Sequence, residues 1–259
     1  MDIKESYSIF ARFYDDYMEH VDYDNWVNFI LSQYNQRHAD GMGIILELAC
    51  GTGNIANRLV KRRFTVEASD ISEEMIAIAG SKPFAANFHQ ADMLTPLPHN
   101  RYDLILLLFD SLNYLQTPFQ VKKLFANVKS SLCTNGMFIF DISTEKNCLD
   151  NFDGFLNIED NEDSFLVHQS FYLPDDKIQE TQLTLFTKEG DYYRRDDEQH
   201  HQKIYPIPEL IKMIRKSKLE IFGIYRLSVN QEIPIPEEEY EIAGQCYNRV
   251  FFVLGAASA

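Results

Sequence analysis

Positive charge is scarce in this sequence. Its 259 residues carry 24 lysines and arginines against 39 aspartates and glutamates, a formal net charge of −15. A surface of that sign repels a polyanion, so DNA is excluded as a partner. A tRNA is disfavoured too, its one foothold being the local triplet Lys61, Arg62 and Arg63. Cysteine is also sparse. Cys50, Cys133, Cys148 and Cys246 lie far apart with no CxxC pair, which suggests neither a zinc site nor a disulfide framework. Reduced thiols in a cytoplasmic protein are the expectation. No apolar run is long enough to span a membrane, and the acidic opening "MDIKESYSIFARFYDDYMEH" does not read as a signal peptide. Tandem repeats and low-complexity tracts are lacking as well. Oligomeric state is not encoded in any of these features.

What is present is alternation. Residues 5 to 38 carry aromatic and apolar residues at helical spacing, including Tyr7, Phe10, Tyr14, Tyr17, Trp26 and Phe29. After a turn at 40–43, strand and helix patterns follow one another from "IILELA" to "TNGMFIFDIS". Ser72 is placed to cap the helix of "SEEMIAIAGS". "YDLILLLFD" is nearly unbroken in its apolarity, as a strand covered on both faces must be. Such alternation predicts an α/β, Rossmann-like fold: a seven-stranded, mostly parallel sheet with helices on both faces. Near residue 150 the pattern changes to successive strands joined by "PDDK" and "KEGD" turns. We read 151–205 as an inserted antiparallel sheet and 1–150 with 206–259 as the main domain. The insertion and the N-terminal helices are expected over the ligand edge of the main sheet, on the substrate side.

In open α/β sheets ligands bind beyond the carboxyl ends of the strands where strand order reverses. Here the first strand runs into "ELACGTGN", with Gly51 and Gly53 permitting a tight turn. Asp70, 19 residues past Gly51, closes the second strand and can accept from both hydroxyls of a ribose. "GTGNIA" also satisfies a dinucleotide pattern. Charge separates the two readings. A dinucleotide lays its diphosphate on the helix N-terminus, where the Glu47 carboxylate would repel it. S-adenosylmethionine presents a sulfonium and an ammonium instead. Asp92, after the third strand, is a further acid, placed to accept from an adenine amino group.

These stretches resemble the class I S-adenosylmethionine-dependent methyltransferases. "ELACGTGN" resembles the family's glycine motif, with Ala49 where a glycine is usual. "ASDISEEMIAIA", "QADM" and "YDLILLLFDSLNYL" resemble its ribose, adenine and fourth-strand segments. The opening "YSIFARFYDDYM…DYDNW" and the run Tyr193, Arg195, Glu198, His200, Gln202, Lys203, Tyr205 resemble a bacterial, small-molecule-type subgroup with an inserted antiparallel sheet. The resemblance implies S-adenosylmethionine as cofactor and S-adenosylhomocysteine as product. It implies that Glu47, Ala49, Gly51 and Gly53 hold the methionine part and Asp70 the ribose. Ile71, Met75, Asp92 and Met93 would flank the adenine, and Phe109 and Asp110 would face the methyl group. Tyr14 and Trp26 would cover the cofactor, although a helical aromatic stripe equally suits core packing.

The implied reaction is in-line methyl transfer to an N, O or C nucleophile of a small molecule. Asp110 and His200 are the candidate bases, and no metal is required. Glu198, His200 and Gln202 share one face of a strand, while their neighbours are also polar, so periodicity alone leaves that face undecided. Two other readings stay open at this point: an NAD-dependent oxidoreductase or epimerase, and a non-catalytic cofactor-binding regulator.

Overall fold

The computed structural model describes residues 7, 9–38, 43–228 and 231–256. Two helices come first, α1 (Ala11–Tyr17) and α2 (Tyr23–Asn35). The expected helical stretch is thus broken in two, because the side chain of Asp22 accepts from Asn25 N–H and caps α2. The turn expected at 40–43 lies outside the described residues except for Gly43. β1 (Ile44–Leu48), α3 (Asn54–Lys61), β2 (Thr65–Asp70), α4 (Glu73–Ser81) and β3 (Asn87–Gln90) follow. Ser72 caps α4, accepting from Met75 N–H at 3.2 Å. Next come β4 (Tyr102–Leu107), a 3₁₀ turn at Ser111–Tyr114, α5 (Pro118–Ser131) and β5 (Leu132–Ser143). Thr117 and Gln120 start α5 with reciprocal capping bonds.

After the short α6 (Glu145–Asn147), the chain builds a separate four-stranded antiparallel meander: β6 (Phe155–Asp160), β7 (Ser164–Leu173), β8 (Ile178–Glu189) and β9 (Tyr192–Lys203). It then returns through α7 (Ile207–Lys216), β10 (Leu219–Ser228), β11 (Gln231–Pro234), α8 (Ala243–Cys246) and β12 (Arg249–Ala256).

The main sheet has the order β11-β10-β12-β5-β4-β1-β2-β3. β1 to β5 pair in parallel, while β12 runs antiparallel to β5 and to β10. The sheet therefore has eight strands, not the seven expected from sequence. The extra one, β11, is a four-residue edge strand ending in proline, too short to show a period. β6 was likewise unforeseen, because its apolar residues Leu156 and Ile158 face outward.

The apolar strands are covered on both faces, as their composition requires. Leu46, Leu48, Ile105 and Leu107 pack under α5 and α7. Ile45, Leu104 and Leu106 pack under α2 and α3. Chain order reverses between β1 and β4, so the crevice beyond their carboxyl ends is where a ligand is expected.

Candidate functional site

At that crevice the backbone is bent three times into the left-handed region, at Ala49 (φ 50°), Gly51 (53°) and Gly53 (74°). Ala49 thus adopts the conformation that glycine would take more freely. The two glycines serve different ends. A Cβ on Gly51 would meet only Tyr14 Cε1, at 3.9 Å, so that position is open. A Cβ on Gly53 would lie 2.5 Å from Phe88 Cζ, so Gly53 allows α3 to start tightly against β3.

Asp70 ends β2 with both carboxylate oxygens engaged. Oδ2 accepts from Gly51 N–H at 2.8 Å and Oδ1 from Ser72 N–H at 3.0 Å. Each oxygen keeps a second lone pair. Burial raises the Asp70 pKa, and the N–H groups of Ser72 and Gly51 oppose that rise.

Ala49, Gly51 and Asp70 line a cavity of about 710 Å³, together with Ile71, Met75, Asp92, Met93, Phe109 and Tyr14. Nine of the fourteen residues proposed from sequence are gathered here. Glu47, Gly53 and Trp26 stand outside the lining, and Asp110 and His200 belong to a second cavity.

Glu47 shares its sheet face with Ile45, because side chains alternate along a strand. It is therefore turned beneath the glycine turn, accepts from Ala56 N–H in the first turn of α3, and is 2% exposed. Burial pushes its pKa up to about 8. The expectation that its carboxylate confronts the ligand as a charge is corrected accordingly: at neutral pH it is mostly a neutral acid in the floor. The negative charge comes instead from Asp70, Glu73, Glu74 and Asp92, and neither lysine nor arginine is among the described lining residues. Asp92 is exposed and spends one oxygen on Leu94 N–H at 2.8 Å, as a turn-starting aspartate does.

A second cavity of about 490 Å³ adjoins the first and shares Tyr7, Tyr14, Phe109 and Tyr114 with it. Its other walls come from α1, α2 and the inserted sheet. Trp26 lies here, stacked on Phe109 with centroids 4.0 Å apart and planes 12° from parallel. Asp110 is bound to Arg249 at 2.6 Å and also accepts from Gln202 Nε2. Arg249 pairs in addition with the fully buried Asp141, which accepts from Asp110 N–H at 2.9 Å. Burial raises Asp141, against the pull of Arg249.

On β9, Glu198, His200 and Gln202 are buried while His201 is exposed, which settles the face that periodicity left open. Glu198 accepts from the N–H groups of Tyr7 at 3.0 Å, Phe10 at 2.9 Å and Ile9. Burial would raise its pKa, but His200 and those N–H groups hold it below the usual value. The inserted sheet is thereby tied to the N-terminal segment.

A second tie holds α1 to the glycine turn. Asp15 accepts from Thr52 Oγ1 at 2.6 Å and Asn54 Nδ2 at 2.8 Å, and it pairs with Lys82 at 2.6 Å. Asp15, Tyr114, Asp141 and Arg249 were not singled out from sequence. Arg249, a charge opening the otherwise apolar "RVFFVLGA", was the one readable signal among them.

Residues 45–136 match the model of a methyltransferase domain. The methyltransferase-family protein YqeM of Bacillus subtilis is 32% identical over 222 residues, covering 84% of this chain and 88% of that one. The chain belongs to the methyltransferase family. A crystal structure of an S-adenosylmethionine-dependent methyltransferase from Clostridium acetobutylicum shares the fold, with a TM-score of 0.79 at 24% identity over 97% of this chain and 99% of that one. So does the sugar N-methyltransferase KedS8 from Streptoalloteichus, with a TM-score of 0.74 at 17% identity over 100% of this chain and 95% of that one. The acid-lined first cavity suits S-adenosylmethionine rather than a dinucleotide: a diphosphate there would face four carboxylates with no counter-ion. Among the described residues, no group of three or more metal-ligating side chains occurs, and no helix is long and apolar enough to cross a membrane.

Proposed function

We propose that this methyltransferase holds S-adenosylmethionine in the 710 Å³ cavity and takes a small-molecule acceptor into the 490 Å³ cavity. The observation that carries the reading is the wall the two cavities share, Tyr7, Tyr14, Phe109 and Tyr114, across which a methyl group would pass. When bound, the cofactor supplies an activated methyl group on a sulfonium. The protein's part is to align donor and acceptor, for which effective molarities up to about 10⁵–10⁸ M are the ceiling.

In this reading Asp70 holds the ribose hydroxyls, and Ala49 and Gly51 let the backbone approach the methionine part. Ile71, Met75, Asp92 and Met93 border the adenine. Tyr14 and Phe109 lie beside the sulfonium, where a ring face contributes about 0.5–2 kcal/mol. Glu47 and Gly53 shape the turn without touching the ligand. Trp26 serves the acceptor cavity by backing Phe109. Asp110, with both oxygens engaged by Arg249 and Gln202, orients the acceptor end of the site; taking up a proton would break its ion pair. The inserted sheet and the N-terminal helices close the acceptor side and exclude water.

A small-molecule acceptor is supported by the size of the second cavity, about 490 Å³, and by a sugar N-methyltransferase of the same fold. A tRNA is opposed by the net charge and by the engagement of Arg62 with Asp24 at 3.3 Å within the local basic patch. The test is incubation with methyl-labelled S-adenosylmethionine and, separately, a metabolite extract and a tRNA pool. Label is expected in the metabolite fraction; label confined to tRNA would overturn the acceptor assignment.

A further inference from the structure

One chain of polar groups runs through the wall between the two cavities. Tyr7 Oη and Tyr114 Oη are 2.8 Å apart, Tyr114 Oη is 3.0 Å from His200 Nδ1, and His200 Nε2 is 3.5 Å from Glu198 Oε2. The imidazole and the carboxylate are nearly inaccessible to water, at 5% and 4% exposed. The Tyr7 ring packs against the imidazole at a steep angle, with centroids 4.7 Å apart and planes 68° from parallel.

Both tyrosines line both cavities, whereas His200 lines only the acceptor cavity. The order is therefore hydroxyl pair, imidazole, carboxylate, leading away from the place where donor and acceptor would meet. A carboxylate fixing an imidazole that in turn accepts from a hydroxyl is the general arrangement of an oriented base. At 3.5 Å His200 Nε2 faces the Glu198 carboxylate without yet making a hydrogen bond to it, and such contacts tighten when a site is filled.

We propose that Tyr7, Tyr114 and His200, with Glu198 as the positioning residue, form a relay that removes the proton of an N–H or O–H acceptor. The inference rests on the two-cavity reading and narrows its acceptor to a protic nucleophile. The acceptor's nitrogen or oxygen gains the methyl carbon as the carbon–sulfur bond breaks, with the electron pair left on sulfur. The surplus proton enters the Tyr7–Tyr114 hydroxyl pair, and the Tyr114 proton passes to His200 Nδ1. The resulting imidazolium directs its Nε2–H at the Glu198 carboxylate. The positive charge lost at sulfur thus reappears on His200 beside an anion.

Burial raises both tyrosines well above their ordinary range, so each remains a neutral hydroxyl able to pass a proton on. Glu198 also holds the N–H groups of Tyr7, Ile9 and Phe10. The carboxylate that orients the base thereby holds the N-terminal segment shut, and the relay is complete only in the closed arrangement.

The relay requires His200 Nδ1 to be bare and the neutral ring's proton to sit on Nε2. Nitrogen-15 NMR of the full chain with labelled histidine, saturated with S-adenosylhomocysteine, reads this directly. An Nε2–H tautomer whose Nδ1 resonance moves in Tyr114→Phe supports the relay; an Nδ1–H tautomer overturns it.

The second arm uses His200→Gln, which lies outside the cofactor cavity. Label transfer into the metabolite fraction should fall by about 10²–10⁴-fold, the usual weight of a general base, while the affinity for S-adenosylhomocysteine stays within about threefold. A purely structural histidine would weaken both together, and unchanged transfer would also overturn the proposal. Wild-type chain that binds S-adenosylhomocysteine but labels no metabolite defeats the small-molecule reading alone. The tautomer then decides the relay by itself.

Discussion

Trp26 lies flat on Phe109, and through that contact α2 fixes the end of β4. Phe109 and Asp110 both have left-handed backbones, φ 55° and 51°, a conformation that non-glycine residues hold only when their surroundings enforce it. The stacked ring braces Phe109 and Asp141 holds the Asp110 N–H, and together they set the shared wall of the two cavities.

Replacing Trp26 by alanine should therefore cost stability and loosen that wall. A fully buried aromatic costs about 3–5 kcal/mol. Trp26 is half-buried, so about 2–3 kcal/mol is expected, or a fall in Tm of roughly 5–10 °C for a chain of this size. Thermal unfolding checks this, and a shift below about 2 °C would argue that the stack does not brace Phe109. Trp26 is also the sole tryptophan, so its fluorescence should respond when a ligand enters either cavity.

The buried Glu47 gives the unliganded protein a defined pH response. Its pKa stands near 8 in the folded chain and about 4.3 in an unfolded one. Between those values the folded state binds more protons than the unfolded state, so this group makes stability fall as pH rises. The decline begins above the unfolded pKa and levels off above about pH 8. Glu47→Gln should flatten that part of the profile, with the variant gaining on wild type as pH increases. Denaturant midpoints at pH 5, 6.5 and 8 measure it; parallel profiles would mean that Glu47 is ionised in the fold.

Gly51 and Gly53 should respond differently to alanine. Both sit at positive φ, where a Cβ costs about 1–2 kcal/mol. At Gly51 the added methyl has room in the fold but occupies the cavity, so S-adenosylhomocysteine affinity should drop at least about tenfold with a modest loss of Tm. At Gly53 the methyl meets Phe88 and Ala79, and overpacking adds about 1–3 kcal/mol. Gly53→Ala should therefore show the larger loss of Tm. Equal losses in the two variants would contradict the assignment of one glycine to the ligand and the other to packing.

Strand–helix alternation, the glycine turn and Asp70 were legible because each depends on residues close in sequence. The placement of Asp92, Met93 and Phe109 on the cavity wall was legible for the same reason, since each lies two or three residues past the end of a strand. The orientation of Glu47 was legible in principle, since alternation from Ile45 points it under α3; the charge argument obscured it. The Asp15 clamp was not legible. It joins α1 to Thr52 and Asn54 across 37 and 39 residues, and nothing local marks Asp15 from Asp16. The Asp110–Arg249–Asp141 network likewise draws on two strands and the turn after β4, and exists only once β12 lies beside β5. β6 and β11 escaped notice because their apolar residues are few and partly outward.

The central claim is that an acid-lined cavity, built around Asp70, receives a phosphate-free, cationic adenosine derivative. Isothermal titration of the full chain with S-adenosylhomocysteine and with NAD, repeated on Asp70→Ala, tests it most directly. The account predicts saturable binding of S-adenosylhomocysteine, none of NAD, and a loss of about 10–100-fold in the variant, the weight of hydrogen bonds to a charged group. Binding of NAD in preference, or an Asp70→Ala affinity equal to wild type, would contradict it.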